Sequence, residues 1–448
     1  MFFGSARTFS ILLLLLPAAR PAVLPRRNFA VKIRDDSQSA SAPATAVAAP
    51  ATVDPAPATA VTVSASLATT VAASASPAPA SASPATAAPP SVTTEVQDGQ
   101  TGTLMALPAQ ITDAGLKQIP DADHPFIAPG PDDQRGPCPA MNVLANHGYI
   151  SRNGITTFEE VVNGMMEGFN MEVHFAAGLA ATNFVSRGNA FVNKISIGGE
   201  SPLVPPSPGN IDGPTTGGIA KHGRFEGDAS MSRADALVGN NRAFQQPVFN
   251  LNLLELGKLG DDGVDGNNTV LNVQTLIGME KRLFATDQAS NPKFEFAARR
   301  MFAAYGQAAF LMTVFANGTT NQTTLPILDS FFRNETFPPN WYRAAVPITG
   351  ATNAKVSGAI LAGIPENVPG RNNEQGVFVA DPPPPPPFNS SLPCAGYFDQ
   401  AGNTPATLVN TTGIFKQNVD FLVNILFAGA SANPGCTQLQ EPFGPAGV

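Results

Sequence analysis

A cysteine clamped between two prolines at the head of a helical pattern, Gly136-Pro137-Cys138-Pro139, constrains this 448-residue chain more than any other stretch. Each proline fixes its own backbone angle and turns the residue before it away from helical geometry, so Cys138 sits on a stiff corner. Pro139 suits a first helical turn, Met141, Leu144 and Ala145 recur at helical spacing, and Gly148 supplies a stop. A sulfur at a helix N-terminus meets the positive end of the helix dipole, which favours thiolate over thiol and makes Cys138 a candidate metal ligand. By itself the same cysteine could be a small buried hydrophobe or half of an ordinary disulfide.

The first quarter of the chain does not read as a folded domain. Residues 1–22 carry Arg7, the apolar run Ile11 to Leu16 and then small residues, the pattern of a signal peptide on an exported protein. That run is too short to span a bilayer, and no later segment is long enough. From Ser37 to Val92 nearly every residue is Ala, Ser, Pro, Thr or Val, with Leu67 the one large apolar side chain. Such a stretch cannot offset the entropy of ordering, so residues 23–105 are expected to be a disordered, O-glycosylated spacer or a pro-region.

Residues 106–448 change character: Phe, Gly and Asn become common and apolar residues recur at helical spacing. Helices are expected around 141–145, 158–169, 173–181, 250–259, 273–286, 295–315, 327–333 and 415–428, with few and short strands. The expected fold is therefore mostly α, a single helical domain with long Pro- and Gly-rich loops. Sequons at Asn267, Asn317, Asn321, Asn334, Asn389 and Asn410 fit a secreted glycoprotein, and Pro382 to Pro387 reads as a polyproline strut. A formal charge of −8 without a basic patch argues against a nucleic-acid partner, and nothing marks an obligate protein partner.

Two further stretches carry chemistry. Glu226-Gly227-Asp228-Ala229-Ser230 sets a carboxylate, a close-approaching backbone carbonyl and a hydroxyl within five residues, hard oxygen donors suited to magnesium or simply an acidic helix start. In Arg300-Met301-Phe302-Ala303-Ala304-Tyr305-Gly306-Gln307-Ala308-Ala309-Phe310, helical spacing puts Arg300, Ala303, Gln307 and Phe310 on one face.

Taken in order, Arg135 to Pro139 with Asn146-His147-Gly148-Tyr149, then Phe225 to Met231, then Arg300 with Ala304-Tyr305-Gly306, resemble the three motifs of the heme-thiolate peroxidases. This is the family of chloroperoxidase and the fungal unspecific peroxygenases, and the wide spacing resembles its longer group. The resemblance runs from about residue 123 to the end of the chain and implies the same helical fold, with heme b held by the Cys138 thiolate. It also implies magnesium on Glu226, the Gly227 carbonyl and Ser230, touching a heme propionate. The contexts of Cys394 and Cys436 resemble the C-terminal disulfide of the long peroxygenases, a loop closure that stabilises by roughly 3–4 kcal/mol and leaves Cys138 unpaired. Met171, Phe225, Phe302, Ala303 and Phe310 match positions of the substrate channel, although 29 Phe can also simply build a Phe-rich core.

One departure matters chemically. In the long peroxygenases the arginine of the third motif pairs with a glutamate two turns on, which takes a proton from hydrogen peroxide and returns it to the departing oxygen. Here that position is Gln307, whose amide can orient peroxide but cannot accept its proton. Arg300 and Gln307 are thus the catalytic candidates, with His174 a second possible base or, more blandly, a rim residue. The implied function is a secreted heme-thiolate peroxygenase using hydrogen peroxide on small apolar or aromatic molecules, with reduced peroxide activation. The alternatives are a heme-binding protein with little turnover and a non-enzymatic wall or matrix glycoprotein.

Overall fold

The computed structural model describes residues 94–210, 217–222, 227–382 and 406–428. Nine α-helices stand out among them: α1 (Pro139–His147), α2 (Phe158–Phe169), α3 (Val173–Arg187), α4 (Gln246–Leu259), α5 (Val273–Ser290), α6 (Ala298–Thr313), α7 (Leu325–Phe332), α8 (Gly350–Gly363) and α9 (Gly413–Ala428). Short antiparallel pairs stitch the loops: β1 (Val96–Gln97) with β2 (Gln100–Thr101), β3 (Ile155–Thr156) with β4 (Ile195–Ser196), and β5 (Asp261–Gly263) with β6 (Gly266–Val270). A three-stranded sheet joins β7 (Glu295–Phe296), β8 (Gly370–Asn372) and β9 (Phe378–Ala380). The mostly α expectation holds, and no helix of the described residues is long and apolar enough to cross a membrane.

Local chemistry sets the helix ends. Cys138 is the extended N-cap of α1, Pro139 opens its first turn, and Gly148 closes it at φ 75°, where its N–H reaches the carbonyls of Leu144 and Ala145. Thr157 and Glu160 form a reciprocal capping box at α2, and Asn272 caps α5 by accepting from the Thr275 N–H. Inside, α2, α6 and α7 converge on an aromatic knot. Phe315 and Phe331 stack with centroids 4.1 Å apart, Phe169, Phe337 and Trp341 pack around them, and the Trp341 indole donates to the Phe315 carbonyl at 3.0 Å.

Three expectations need correction. The folded part begins before residue 106: the Thr103 N–H donates to the Phe191 carbonyl at 2.9 Å, and Met105 is buried with its N–H on Asn418 Oδ1 at 2.9 Å. Asn418 Nδ2 in turn donates to Thr103 and Ala190, so residues 94–105 strap the domain to α9. The helix expected from residue 295 starts only at Ala298, because Glu295 and Phe296 pair with Arg371 and Gly370 as strand. Helix α8 escaped the apolar pattern: it fully buries only Asn353 and Ile360 and packs along α6, where Asn353 bonds to Thr313 and to the Gly306 carbonyl. The Cys394–Cys436 pairing, Asn389 and most of the polyproline run lie outside the described residues.

A chain beginning at residue 94 keeps these anchors and serves as the reference. Removal up to 105 deletes the Met105 and Thr103 anchors and should lower the thermal midpoint by several degrees in a differential scanning experiment, each kcal/mol lost being worth roughly 2–4 °C in a domain of this size.

Candidate active site

The corner that presents Cys138 is held by one side chain. Asn142, one turn into α1 and buried, accepts from the Gly136 N–H at 3.0 Å and donates to the Gly136 carbonyl at 2.9 Å, gripping both ends of that residue. Gly136 has no room for a side chain, since a Cβ there would lie 2.0 Å from the Ile197 carbonyl oxygen. Asn146, a turn later, accepts from Arg135 Nε at 2.8 Å and donates to the Glu335 carbonyl at 2.9 Å. Buried His147 ties the last turn of α1 to the His124 carbonyl and to Thr336 Oγ1, both at 2.9 Å.

Cys138 itself is a half-buried free thiol. The N–H groups of Ala140 and Met141 and the charge of Arg233 favour its thiolate, as the helix terminus leads one to expect. Desolvation nevertheless outweighs them, and Glu335 adds to it, so the thiol of the metal-free protein is pushed up. The helix terminus alone therefore does not set the balance; a bound metal ion would favour the thiolate further.

The second motif forms the bridge between this corner and α6. Phe225 and Glu226 lie outside the described residues. Gly227 packs against the Arg300 stem, where an added Cβ would come within 2.9 Å of Cδ. Asp228 is the keystone of the loop: its Oδ1 accepts from His222 Nε2 at 2.8 Å, and its Oδ2 from the Glu295 N–H at 2.6 Å and Asn291 Nδ2 at 3.2 Å. Its backbone carbonyl accepts from Arg300 Nε at 2.8 Å. Ala229 sits at φ 57°, a left-handed conformation unusual for alanine, with its N–H on Asp287 Oδ2 at 2.6 Å. Ser230 Oγ accepts from the Arg233 N–H at 3.2 Å.

His222, Asp228 and Asp235 bring ligand-capable atoms within 4.8 Å of one another. Their protons already account for that closeness: burial and the neighbouring Asp228 push the Asp235 carboxyl up to about 8, so it stays protonated beside an ionised Asp228. This group clamps the loop.

On α6 the expected face is real. Arg300 is buried and its Nη1 lies 3.2 Å from Gln307 Oε1, two turns on. Phe302, Ala303, Gly306 and Phe310 are only partly covered and Gln307 is exposed, whereas Ala304, Tyr305, Ala308 and Ala309 are buried. A Cβ built on Gly306 would touch nothing within 4 Å. Phe175 of α3 meets Phe310 with centroids 6.2 Å apart. Met171 is buried, and its backbone bridges to Ile348. His174 is exposed on α3.

Four residues escaped the sequence reading. Asn142 and Asp228 stood inside quoted motifs as spacers, and Glu280 and Asp287 lie seven apart on α5 in an ordinary amphipathic pattern. Glu280 is 1 % exposed, its Oε2 takes no hydrogen bond, and burial pushes its carboxyl up to about 7 although Arg300 draws it back. Only a buried position gives such a residue away, and a single sequence does not show one.

The residues present fit a heme iron: a free thiol on a rigid helix corner, an arginine on a neighbouring helix, and a partly open apolar helix face between small and aromatic side chains. Comparison with known proteins agrees. Residues 124–346 match the family model described as Peroxidase, family 2. An aromatic peroxygenase of Cyclocybe aegerita is 31% identical over 344 residues, covering 75% of this chain and 86% of that protein. An aromatic peroxygenase of Coprinellus radians is 33% identical over 243 residues (51% of this chain, 86% of that protein). A chloroperoxidase of Leptoxyphium fumago is 32% identical over 161 residues (34% and 40%).

The chain thus belongs to the heme-thiolate peroxidase family. It is an oxidoreductase acting on peroxide, and the family implies heme with a cysteine thiolate ligand. The reading as a non-enzymatic wall protein is set aside.

A raised carboxyl pKa binds its proton more tightly folded than unfolded, so Glu280 makes the protein lose stability as pH rises from about 4.5 through about 7. Glu280→Gln should remove that slope, leaving the variant more stable at pH 8 by on the order of 3 kcal/mol and near wild type at pH 4. Parallel urea titrations at the two pH values check this, and equal differences at both refute it.

Proposed function

We propose that this chain is an exported heme-thiolate peroxygenase that uses hydrogen peroxide to oxygenate or oxidise small apolar and aromatic molecules, with peroxide activation weakened at Gln307. The observation that carries the reading is the Arg300–Gln307 pair, 3.2 Å apart on the open face of α6. Cys138 would hold the heme iron, and the bound group supplies the oxidising chemistry, its thiolate ligand favouring O–O cleavage.

The chain's own residues define what happens around it. Arg300 donates from Nη1, so Gln307 must turn its oxygen toward the guanidinium and its NH2 outward. That NH2 can donate to a peroxide oxygen and hold it in place, but no atom of the amide takes up the peroxide proton near neutral pH. Arg300, fixed by the Asp228 carbonyl, keeps a positive charge where negative charge develops as peroxide breaks. Proton transfer then falls to solvent or to His174. Phe302, Ala303 and Phe310, with Phe225, would form the apolar walls that orient an aromatic substrate and keep bulk water out.

Magnesium on Glu226, the Gly227 carbonyl and Ser230 suits the oxygen donors of that loop. Export is supported by the Arg7 and Ile11–Leu16 pattern and by sequons whose Asn267, Asn321, Asn334 and Asn410 are exposed. Gln307 also favours a second reading, a heme protein with little turnover.

The purified protein, reduced and exposed to carbon monoxide, should give a thiolate-type Soret band, which Cys138→Ala should abolish. Gln307→Glu should then accelerate oxidation of the bound heme by peroxide about 10²-fold or more in stopped flow. An unchanged rate would refute the role of position 307, and no heme band in the parent protein would refute the whole reading.

A further inference from the structure

Next to the Cys138 corner lies a charge pair that none of the roles above uses. Arg233 is 1 % exposed and its guanidinium is held on all sides: Nε donates to the Arg242 carbonyl at 3.2 Å, Nη1 to Ser232 Oγ at 2.9 Å, and Nη2 to the Gly136 carbonyl at 3.3 Å and Glu335 Oε1 at 2.8 Å. The same Glu335 oxygen accepts from Asn142 Nδ2 at 2.8 Å. The guanidinium is therefore tied directly to the peptide two residues ahead of Cys138, and the carboxylate reaches it through Asn142, the side chain that grips it.

Stability does not explain this pair. Desolvating two ions costs about what their attraction returns, so a buried ion pair is seldom a net stabiliser. Glu335 is also held at φ 47°, a left-handed conformation that costs a non-glycine residue about 1–2 kcal/mol. The fold keeps a strained backbone and a buried charge to place a carboxylate here. The pair thus brings one positive and one negative charge to the Gly136 peptide, two residues from Cys138. Arg233 is withdrawn from water, so its charge is weakly screened, while the Glu335 side chain is 22% exposed.

We propose that Arg233 and Glu335 are a positioning pair that sets how much electron density Cys138 donates, Arg233 withdrawing it and Glu335 restoring it through that shared contact with the Gly136–Asn142 clasp. This rests on the heme-thiolate reading of Cys138. A positive charge beside a thiolate ligand stabilises the reduced, more electron-rich metal, and a negative one does the reverse. The pair thus holds the ligand between two settings that neither charge would give alone.

The test is the reduction potential of the bound heme, read by spectroelectrochemistry, together with the ferrous-carbonyl Soret position. Glu335→Gln, isosteric and only partly buried, should move the potential to a more positive value. Arg233→Gln should move it to a more negative value, Arg233→Lys should keep it near the parent protein, and the double variant with both charges removed should return toward it. A merely structural pair would shift both single variants in one direction through loosened packing, and that result, or unmoved potentials, overturns the proposal. Should Arg233→Gln fail to retain heme, Glu335→Gln decides alone: a potential unchanged or more negative overturns it. A parent protein lacking any thiolate-type spectrum overturns the underlying reading instead, and this inference with it.

Discussion

The grip of Asn142 on both ends of Gly136 is the contact on which the site depends. It converts a Pro-Cys-Pro turn, stiff but free to point anywhere, into a fixed corner whose sulfur stands at the mouth of α1. Everything nearby relies on that fixed point. The Ile197 carbonyl can press against Gly136 only because the residue lacks a side chain, and Arg233 can reach its carbonyl only because the peptide is held still. Prolines remove backbone freedom, but an amide with one donor and one acceptor removes the remaining choice of direction.

From that corner a single loop, residues 227–233, carries geometry to α6. Its start leans on the Arg300 stem and its end enters the Cys138 corner through Arg233. The loop is spanned by Asp228, which collects donors from His222, Asn291 and Glu295 on one buried carboxylate. A short stretch with a residue at positive φ keeps its shape because so many neighbours over-determine it.

Much of this was legible in the sequence, and what was not has a common cause. The cap, first turn and stop of α1 were visible because proline and glycine act locally, and the shared face of Arg300 and Gln307 was visible because helical periodicity places i and i+7 together, while their pairing was implied by the family resemblance. Helix α8 was not, since only Asn353 and Ile360 of its fourteen residues are fully buried and they leave no apolar stripe. Neither was the role of Asp228, Glu280 or Glu335, whose importance comes from burial and from partners more than fifty positions away in most cases. Cys138 shows the limit from the other side: the helix terminus gives the direction of its electrostatic bias, but burial, invisible in sequence, decides the balance.

The strap formed by residues 94–105 gives the fold an order of assembly. Its anchors, the Met105 N–H and the Thr103 carbonyl, close on Asn418, more than 300 residues downstream. Contacts so distant in the chain pay their loop-closure entropy late. A ribosome making this protein releases the strap early but cannot fasten it until α9 has emerged. The strap therefore acts as a latch, closing on Phe191 and Asn418 only once the helix at the other end of the domain exists.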